Sequence, residues 1–412
     1  MGTKSQTDPL NTHAMARLVL DARDNTEYGM LRTFVRIQWD RSSGSDDNSG
    51  SQPRRGQMFA GNGTGNYNNL QTGFFGSEGY IQLGGALFGR TTSSAFVNAP
   101  SLQFTTQGPS NGRVNQISYT ASLGSGMSLT VAAEDAAELR EGYFAYVLAN
   151  PGGLYDPGQS ISRQNLLSPA NQAPDAVASF DVSQSWGSLK VAGVLHEVYM
   201  PKYNSSVAFT HANMSNNGVD AKLGWALMSG LKVNLPMIAA GDYISVYGAY
   251  GVGAMGRTLG NTATDTGNSV PGGAGTGGNA SFGMGNATWA GYDATTGENG
   301  NPILSKSYSV GGEFKHFFTP TVAAYVGGTF GAVNYGGGNI RTWTSNLVPH
   351  NANMWGTALG VIWTPVAGLE INPEVAYRQS NIKSEFGVSN GNKQGVKSDD
   401  QWIGRLRVAR TF

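Results

Sequence analysis

A chain of 412 residues with only 13% charged side chains has about half the charge of a soluble globular domain, for which roughly 25% is usual. Lys+Arg and Asp+Glu balance at 27 each, which excludes the basic field that a nucleic-acid binder needs. No stretch approaches the about 18 apolar residues of a membrane-spanning helix, and Cys is absent, as suits a chain crossing an oxidising compartment.

The first residues, Met1-Gly-Thr-Lys-Ser-Gln-Thr-Asp8, have no apolar core and do not read as a secretory signal. An exported protein is therefore expected here in a mature or trimmed form, or with a misplaced start. Beyond them, period-two alternation dominates, in segments of about ten residues separated by turn residues. In 15–24, Leu18, Leu20 and Ala22 oppose Arg17, Asp21 and Arg23. In 27–39, Leu31, Val35, Ile37 and Trp39 oppose Arg32, Phe34, Arg36 and Gln38. Strands follow at 74–83 and 86–91.

A hairpin then joins 113–123 to 127–135. Ile117, Tyr119, Ala121 and Leu123 alternate with polar residues up to Gly124-Ser125-Gly126, and Met127, Leu129, Val131 and Ala133 continue beyond it. The same unit recurs at 175–185 and 188–199. Next come 217–228 and 231–255, the latter in two parts hinged around 235–242. The series ends with 304–317, 320–334, 352–364, 368–378 and 400–412. In the last strand Trp402, Leu406, Val408 and Phe412 share one face, and Arg405 and Arg407 the other. No 3.6-residue period is sustained, so the chain is all-β.

Connections alternate between tight and long. Tight turns lie near Asn25, Gly84-Gly85, Ser125, Gly187, Thr319 and Ala367, and long polar segments at 41–71, 91–112, 136–174, 200–216, 257–303, 335–352 and 379–399. This sorting predicts a single domain over 1–412, a transmembrane antiparallel β-barrel of about 16 strands. The tally itself is about fifteen, and closed antiparallel bacterial barrels have even numbers. One N-terminal strand is therefore expected to be missing, or one strand merged with another. Because a lipid-facing Arg near the midplane costs about 2–4 kcal/mol, Arg17, Arg23, Arg32, Arg36, Arg405 and Arg407 are expected inside. Arg90, just before 91–112, is expected to join them in a basic strip.

Specific stretches resemble the alphaproteobacterial general porin family, whose members are sixteen-stranded, trimeric outer-membrane proteins. They are Asp21-Ala-Arg-Asp-Asn-Thr-Glu-Tyr-Gly-Met-Leu-Arg32, Tyr80-Ile-Gln-Leu-Gly-Gly-Ala-Leu-Phe-Gly-Arg90 and Arg113-Val-Asn-Gln-Ile-Ser-Tyr-Thr120. Leu235-Pro-Met-Ile-Ala-Ala-Gly-Asp242, Trp363-Thr-Pro365 and Arg405-Leu-Arg-Val-Ala-Arg-Thr-Phe412 continue the likeness in the same order. It runs from about Ala14 to the end. The departure is at the front, where the family's two Cys and first strand have no counterpart.

The resemblance implies a water-filled outer-membrane channel for passive diffusion of small hydrophilic solutes and ions, with neither cofactor nor metal. It makes 91–112 an inward-folded constriction loop, with Phe96 and Phe104 as anchors, and 41–71, 136–174 and 257–303 long outer loops. It makes 41–71, with Asp46, Asp47, Arg54 and Arg55, the loop that latches a neighbour in a homotrimer. Trp402, Leu406, Val408 and Phe412 resemble the C-terminal signal read by the outer-membrane assembly machinery. The loop 91–112 carries no Asp or Glu, so weak selectivity or a lean towards anions is expected, with Glu134 and Asp135 as nearby acids. Trp39, Tyr119, Trp186, Phe317, Phe318 and Trp363 lie near strand ends and suit interfacial girdles. A substrate-specific channel on the same fold is the alternative. An enzyme is disfavoured because none of His13, His196, His211, His316 and His350 sits in a catalytic or metal-binding motif. The Gly-rich 271–288 lacks the Gly-Lys-Ser/Thr ending of a phosphate loop, and an adhesin would show a repeat period that is absent.

Overall fold

The computed structural model describes residues 12–43, 70–97, 109, 112–135, 139, 143–144, 173–201, 219–259, 281–284, 287–296, 302–336, 351–382, 386–387, 393–394 and 397–412. One antiparallel sheet of 15 strands dominates, each strand pairing with the next along the chain. The strands are β1 (Thr12–Thr26), β2 (Gly29–Ser43), β3 (Leu70–Leu83), β4 (Ala86–Thr92), β5 (Arg113–Gly124), β6 (Met127–Asp135), β7 (Asp175–Gln184) and β8 (Gly187–Pro201). They continue as β9 (Val219–Asn234), β10 (Tyr243–Val252), β11 (Lys306–Thr319), β12 (Val322–Asn334), β13 (Ala352–Val366), β14 (Leu369–Ile382) and β15 (Lys397–Arg410). Among the described residues no ladder joins β1 to β15, so these two strands are the edges of the sheet.

Two boundaries differ from the sequence expectation. The strand predicted to break near Ser229 and Gly230 runs unbroken as β9, because both residues are paired on both sides. Ser229 lies opposite Val191 and Gly248, and Gly230 opposite Lys190 and Tyr247. The break falls at 235–242, at the hinge expected there, where Pro236 has no N–H to give a ladder. The first tight turn lies at Glu27-Tyr28 instead of Asn25, closed by Thr26, whose Oγ1 donates to the Gly29 carbonyl at 2.6 Å.

The alternation sorts side chains onto two unlike faces. One face presents Leu18, Leu20, Ile117, Tyr119, Leu195, Leu223, Leu227, Val310, Leu359, Trp363, Trp402 and Leu406, all large, apolar and exposed. The opposite, inner face buries small and polar groups: Gln116, Ser118, Glu134, Asp175, Ser179, Ser307, Ser309, Glu313, Asn372, Glu374 and Arg378. A soluble fold reverses this arrangement, and a wall that meets hydrocarbon requires it. Aromatics on the inner face lie flat over glycines of the next strand. The Tyr325 ring covers Gly360, directly opposite in register, and its hydroxyl donates to Glu374 Oε2 at 2.5 Å.

The turn between β9 and β10 is held by one carboxylate. Asp242 is buried, accepts the Phe317 N–H on Oδ1 at 2.7 Å, and pairs through Oδ2 with His316 Nδ1 at 2.6 Å. Burial pushes its pKa up, but the hydrogen bonds from His316 and the Phe317 amide outweigh this and hold it below the ordinary carboxylate value. A depressed carboxyl contributes stability above its unfolded pKa, about 3.9, and loses it as pH falls through the folded value. Between neutral pH and about 5, protection of the Phe317 amide from hydrogen exchange should therefore be flat, then fall in stronger acid. Asp242→Asn should lower protection at neutral pH and remove the acid-dependent step.

Candidate functional site

The inner face of the first strands carries a chain of charges. Arg17 and Gln38 are directly opposite in register, and Arg17 Nε donates to Gln38 Oε1 at 2.6 Å. Asp21 receives two arginines, Arg23 Nη2 at 2.6 Å and Arg32 Nε at 2.8 Å. The Arg32 guanidinium also lies over the Phe34 and Tyr80 rings, at 5.2 and 5.5 Å from their centroids. Glu78 on β3 stands between Arg36 (3.5 Å) and Arg113 (3.3 Å). At the other edge, Arg407 Nη1 donates to Glu370 Oε1 at 2.8 Å, and Arg405 lies opposite Glu374. Asp21 and Glu370 sit on the same face as their arginines, and Glu78 on that of Arg36.

Two segments outside the ladder pack against this inner face. The first is 93–97, directly after β4. Ala95 and Val97 are buried in a cluster with Val177, Val194, Ala226, Met228, Tyr247 and Ala249, all inner-facing residues of β7–β10. The second follows β10 and contains the short helix α1 (Met255–Thr258), whose four residues are all buried. Gly256 passes so close to the Leu139 carbonyl that a Cβ there would clash with it.

Arg257, 2% exposed, ties the two segments to the wall. Its Nη1 donates to Glu134 Oε2 at 2.7 Å and to Ser93 Oγ at 2.8 Å, and its Nη2 to Asp175 Oδ2 at 2.7 Å. Glu134 also accepts the Ser94 N–H at 2.7 Å and the Ser93 hydroxyl at 2.8 Å. Asp175 Oδ1 pairs with His196 Nδ1 at 2.7 Å, and the other ring nitrogen faces Asp293 Oδ2 at 3.5 Å. Asp293 in turn accepts the Met255 N–H at 2.6 Å. Burial works against the Arg257 charge, but Glu134 and Asp175 outweigh it and hold its pKa above the ordinary value. Five ionisable groups from five stretches of chain thus meet in one buried cluster.

The sequence matches the family described as the porin subfamily over residues 1–405. The chain belongs to this porin family. Solved structures similar to this porin include the outer membrane channel DcaP of Acinetobacter baumannii (14% identity, 96% of this chain and 95% of that one, TM-score 0.49). Others are the anion-selective porin from Comamonas acidovorans (8%, 97% and 100%, 0.42) and Pseudomonas putida OprB at high pH (11%, 96% and 94%, 0.42). No curated protein matches it in sequence. The porin lies in the outer membrane and forms a channel through which solutes diffuse.

The residues singled out in the sequence are distributed unevenly over the porin wall. Arg17, Arg23, Arg32 and Arg36 share the inner face of β1 and β2, and Arg405 and Arg407 that of β15. Arg90 does not join them. It lies opposite Gly79 and Asn115 on the outer face, two residues from the exposed Phe88, because period two counted from Phe88 carries it outward. Glu134 and Asp135 are consecutive and so point apart: Glu134 is buried inside, and Asp135 shares the outer face with Val131 and Ala133. Phe96 is half-buried in the inward segment, while Phe104 lies outside the described residues. Trp402, Leu406, Val408 and Phe412 are all exposed, the first three on the outer face of β15.

Sequence reasoning missed Arg257, Asp175 and Asp293, and named His196 only as lying in no catalytic or metal-binding motif. One signal was available. Arg257 is the only charge between Asp242 and Asp265, an odd place for a solvated arginine. Removing one partner of a buried ion pair typically costs about 3–5 kcal/mol, because the other charge stays buried. Arg257→Ala should lower unfolding stability in urea by about that much, and Glu134→Gln/Asp175→Asn/Arg257→Ala should recover more than half of the loss.

Proposed function

We propose that this porin is a general diffusion channel of weak ion selectivity, open to small hydrophilic solutes and performing no bond chemistry. One observation carries the reading. The arginines of the inner face are not a bare basic wall, since Asp21, Glu78 and Glu370 each accept one or more of them. Opposite charges within 4 Å present a dipole to a passing ion, and its field falls off faster than that of a charge. Selectivity in such a lumen follows bore more than charge.

In this reading Arg17, Arg23, Arg32, Arg36, Arg405 and Arg407 line the lumen, and 93–97 with Phe96 narrows it. Several features support a role for β15 in assembly: its exposed apolar face and Phe412 at its end suit recognition by an insertion machinery. The resemblance to trimeric porins supports a homotrimer, with outer-membrane lipid around the remaining apolar surface. A catalytic role lacks support, because the buried His196 is bonded through Nδ1 to Asp175, which is itself bonded to Arg257.

Planar-bilayer measurements across a salt gradient check the proposal. The reversal potential should stay near zero, or show slight anion preference, and single-channel current should rise linearly with salt. In liposome swelling, sugars of graded size should enter at rates that fall smoothly with size. Strong cation selectivity, or saturable uptake of one sugar out of line with its size, would overturn it.

A further inference from the structure

We infer that Arg257 is a specificity-determining residue of the channel, pinning the start of the 253–305 connection inside the barrel wall and offsetting part of the charge of Glu134 and Asp175. The inference rests on the diffusion-channel reading above and adds a second element to the narrowing made by 93–97.

The segment is seated by bonds that a loose outer loop would not make. Thr258 Oγ1 meets Ser307 Oγ at 2.5 Å, and Ser309 Oγ donates to the Thr258 carbonyl at 2.5 Å, so α1 lies on the inner face of β11. Gly253 N–H donates to the Ser305 carbonyl at 2.7 Å, closing the base of the connection. Met255 is fully buried, with its sulfur 3.5 Å from the Tyr335 hydroxyl.

From that seat the connection crosses the sheet. Its hairpin Ser281–Met284/Ala287–Ala290 lies beside β14 and β15, although the connection leaves from β10 and returns to β11. Further on, Ala294–Thr296 pairs with Pro302–Leu304 on one side and with Tyr143–Phe144, from the connection between β6 and β7, on the other. Two connections are thus knitted together over the inner face, and Arg257 is the charge that fixes them to the wall.

Its position also decides the local field. Glu134 and Asp175 are neighbours across β6 and β7, and Asp293 approaches from the connection. With His196 charged, the three carboxylates exceed the bases by one in the presence of the guanidinium and by two without it. Loss of Arg257 therefore has two separable effects. The segment is released, which widens the bore, and carboxylates are bared, which draws cations.

Single-channel conductance and reversal potential of the full-length protein test this. Arg257→Ala should raise conductance about twofold and shift the permeability ratio about threefold towards cations. Arg257→Lys, which keeps the charge, should stay near wild type in selectivity. Glu134→Gln/Asp175→Asn/Arg257→Ala should show the higher conductance without the cation shift, a pattern that general loosening of the barrel would not give. Wild-type conductance and selectivity in Arg257→Ala overturn the inference, as does wild-type conductance in the triple variant, which decides the matter if the single variant does not fold. A wild-type protein that forms no conductance steps overturns the channel reading itself, and so is told apart from failure of this inference alone.

Discussion

The structure depends on one constraint: backbone N–H and C=O groups facing hydrocarbon have no water to pair with. Each one left unpaired costs several kcal/mol, so the spanning segments bond to one another strand by strand. Once the ladder is fixed, alternation leaves no freedom, because a shift of one residue would exchange the two faces. The outward row of Leu, Val, Ile and Trp and the inward row of Ser, Gln, Glu and Arg are two consequences of a single register. Close packing within the wall follows too. Tyr325 can lie flat only because Gly360 is opposite it, and Tyr247 only because Gly311 is opposite that.

Inside the wall the problem reverses. Where two segments fold inward, charges that would be cheap in water become buried, and a buried charge is tolerated only when paired and hydrogen-bonded. The Arg257 cluster meets that condition with a planar donor whose fork engages Glu134 and Asp175 at once. Lysine has one compact charge and no such fork, which is why a guanidinium suits a junction where wall and two segments meet. The same pairing explains the quiet electrostatics of the edge strands. Asp21 between Arg23 and Arg32 is a wetter version of the buried cluster, and Glu78 between Arg36 and Arg113 a largely covered one. At Asp21 the net contribution to stability is small, because exposed pairs gain little over water.

Much of this was legible in the sequence, and the limit has a physical origin. Strands with one apolar and one polar face announce themselves, so β5, β6 and β15 and the inward side of Arg17, Arg32 and Arg405 follow from alternation alone. The position of Arg90 before a loop suggests the lumen, but its parity with Phe88 sets its direction outward. Glu134 and Asp135 are consecutive in a strand and so cannot share a face. The Arg257 cluster was hidden for a different reason. Its members are spread from Ser93 to Asp293, and side chains meeting across such distances obey no period that a single sequence displays.

The odd strand count among the described residues sets the remaining constraint. In their antiparallel sheet of 15 strands the first and last run in the same direction. Direct pairing of β1 with β15 would therefore be a parallel ladder, with evenly spaced, slanted bonds, whereas one intervening strand would keep every pair antiparallel. Leaving both edges open in lipid is not a third option. Each edge would present unpaired groups along 14 or 15 residues, and at several kcal/mol apiece these exceed the whole stability of a folded domain, about 5–15 kcal/mol. Either closure preserves the faces already established. Arg17, Asp21 and Arg23 at one edge and Arg405 and Arg407 at the other point inward whatever lies between them, so the seam of the barrel is a charged stretch of wall. A directly paired seam would bring four of these arginines together with Asp21, Glu370 and Glu374 as the nearest acids, while an intervening strand would hold them apart. The closure of the barrel and the field of its lumen are thus one question, decided by the same few residues.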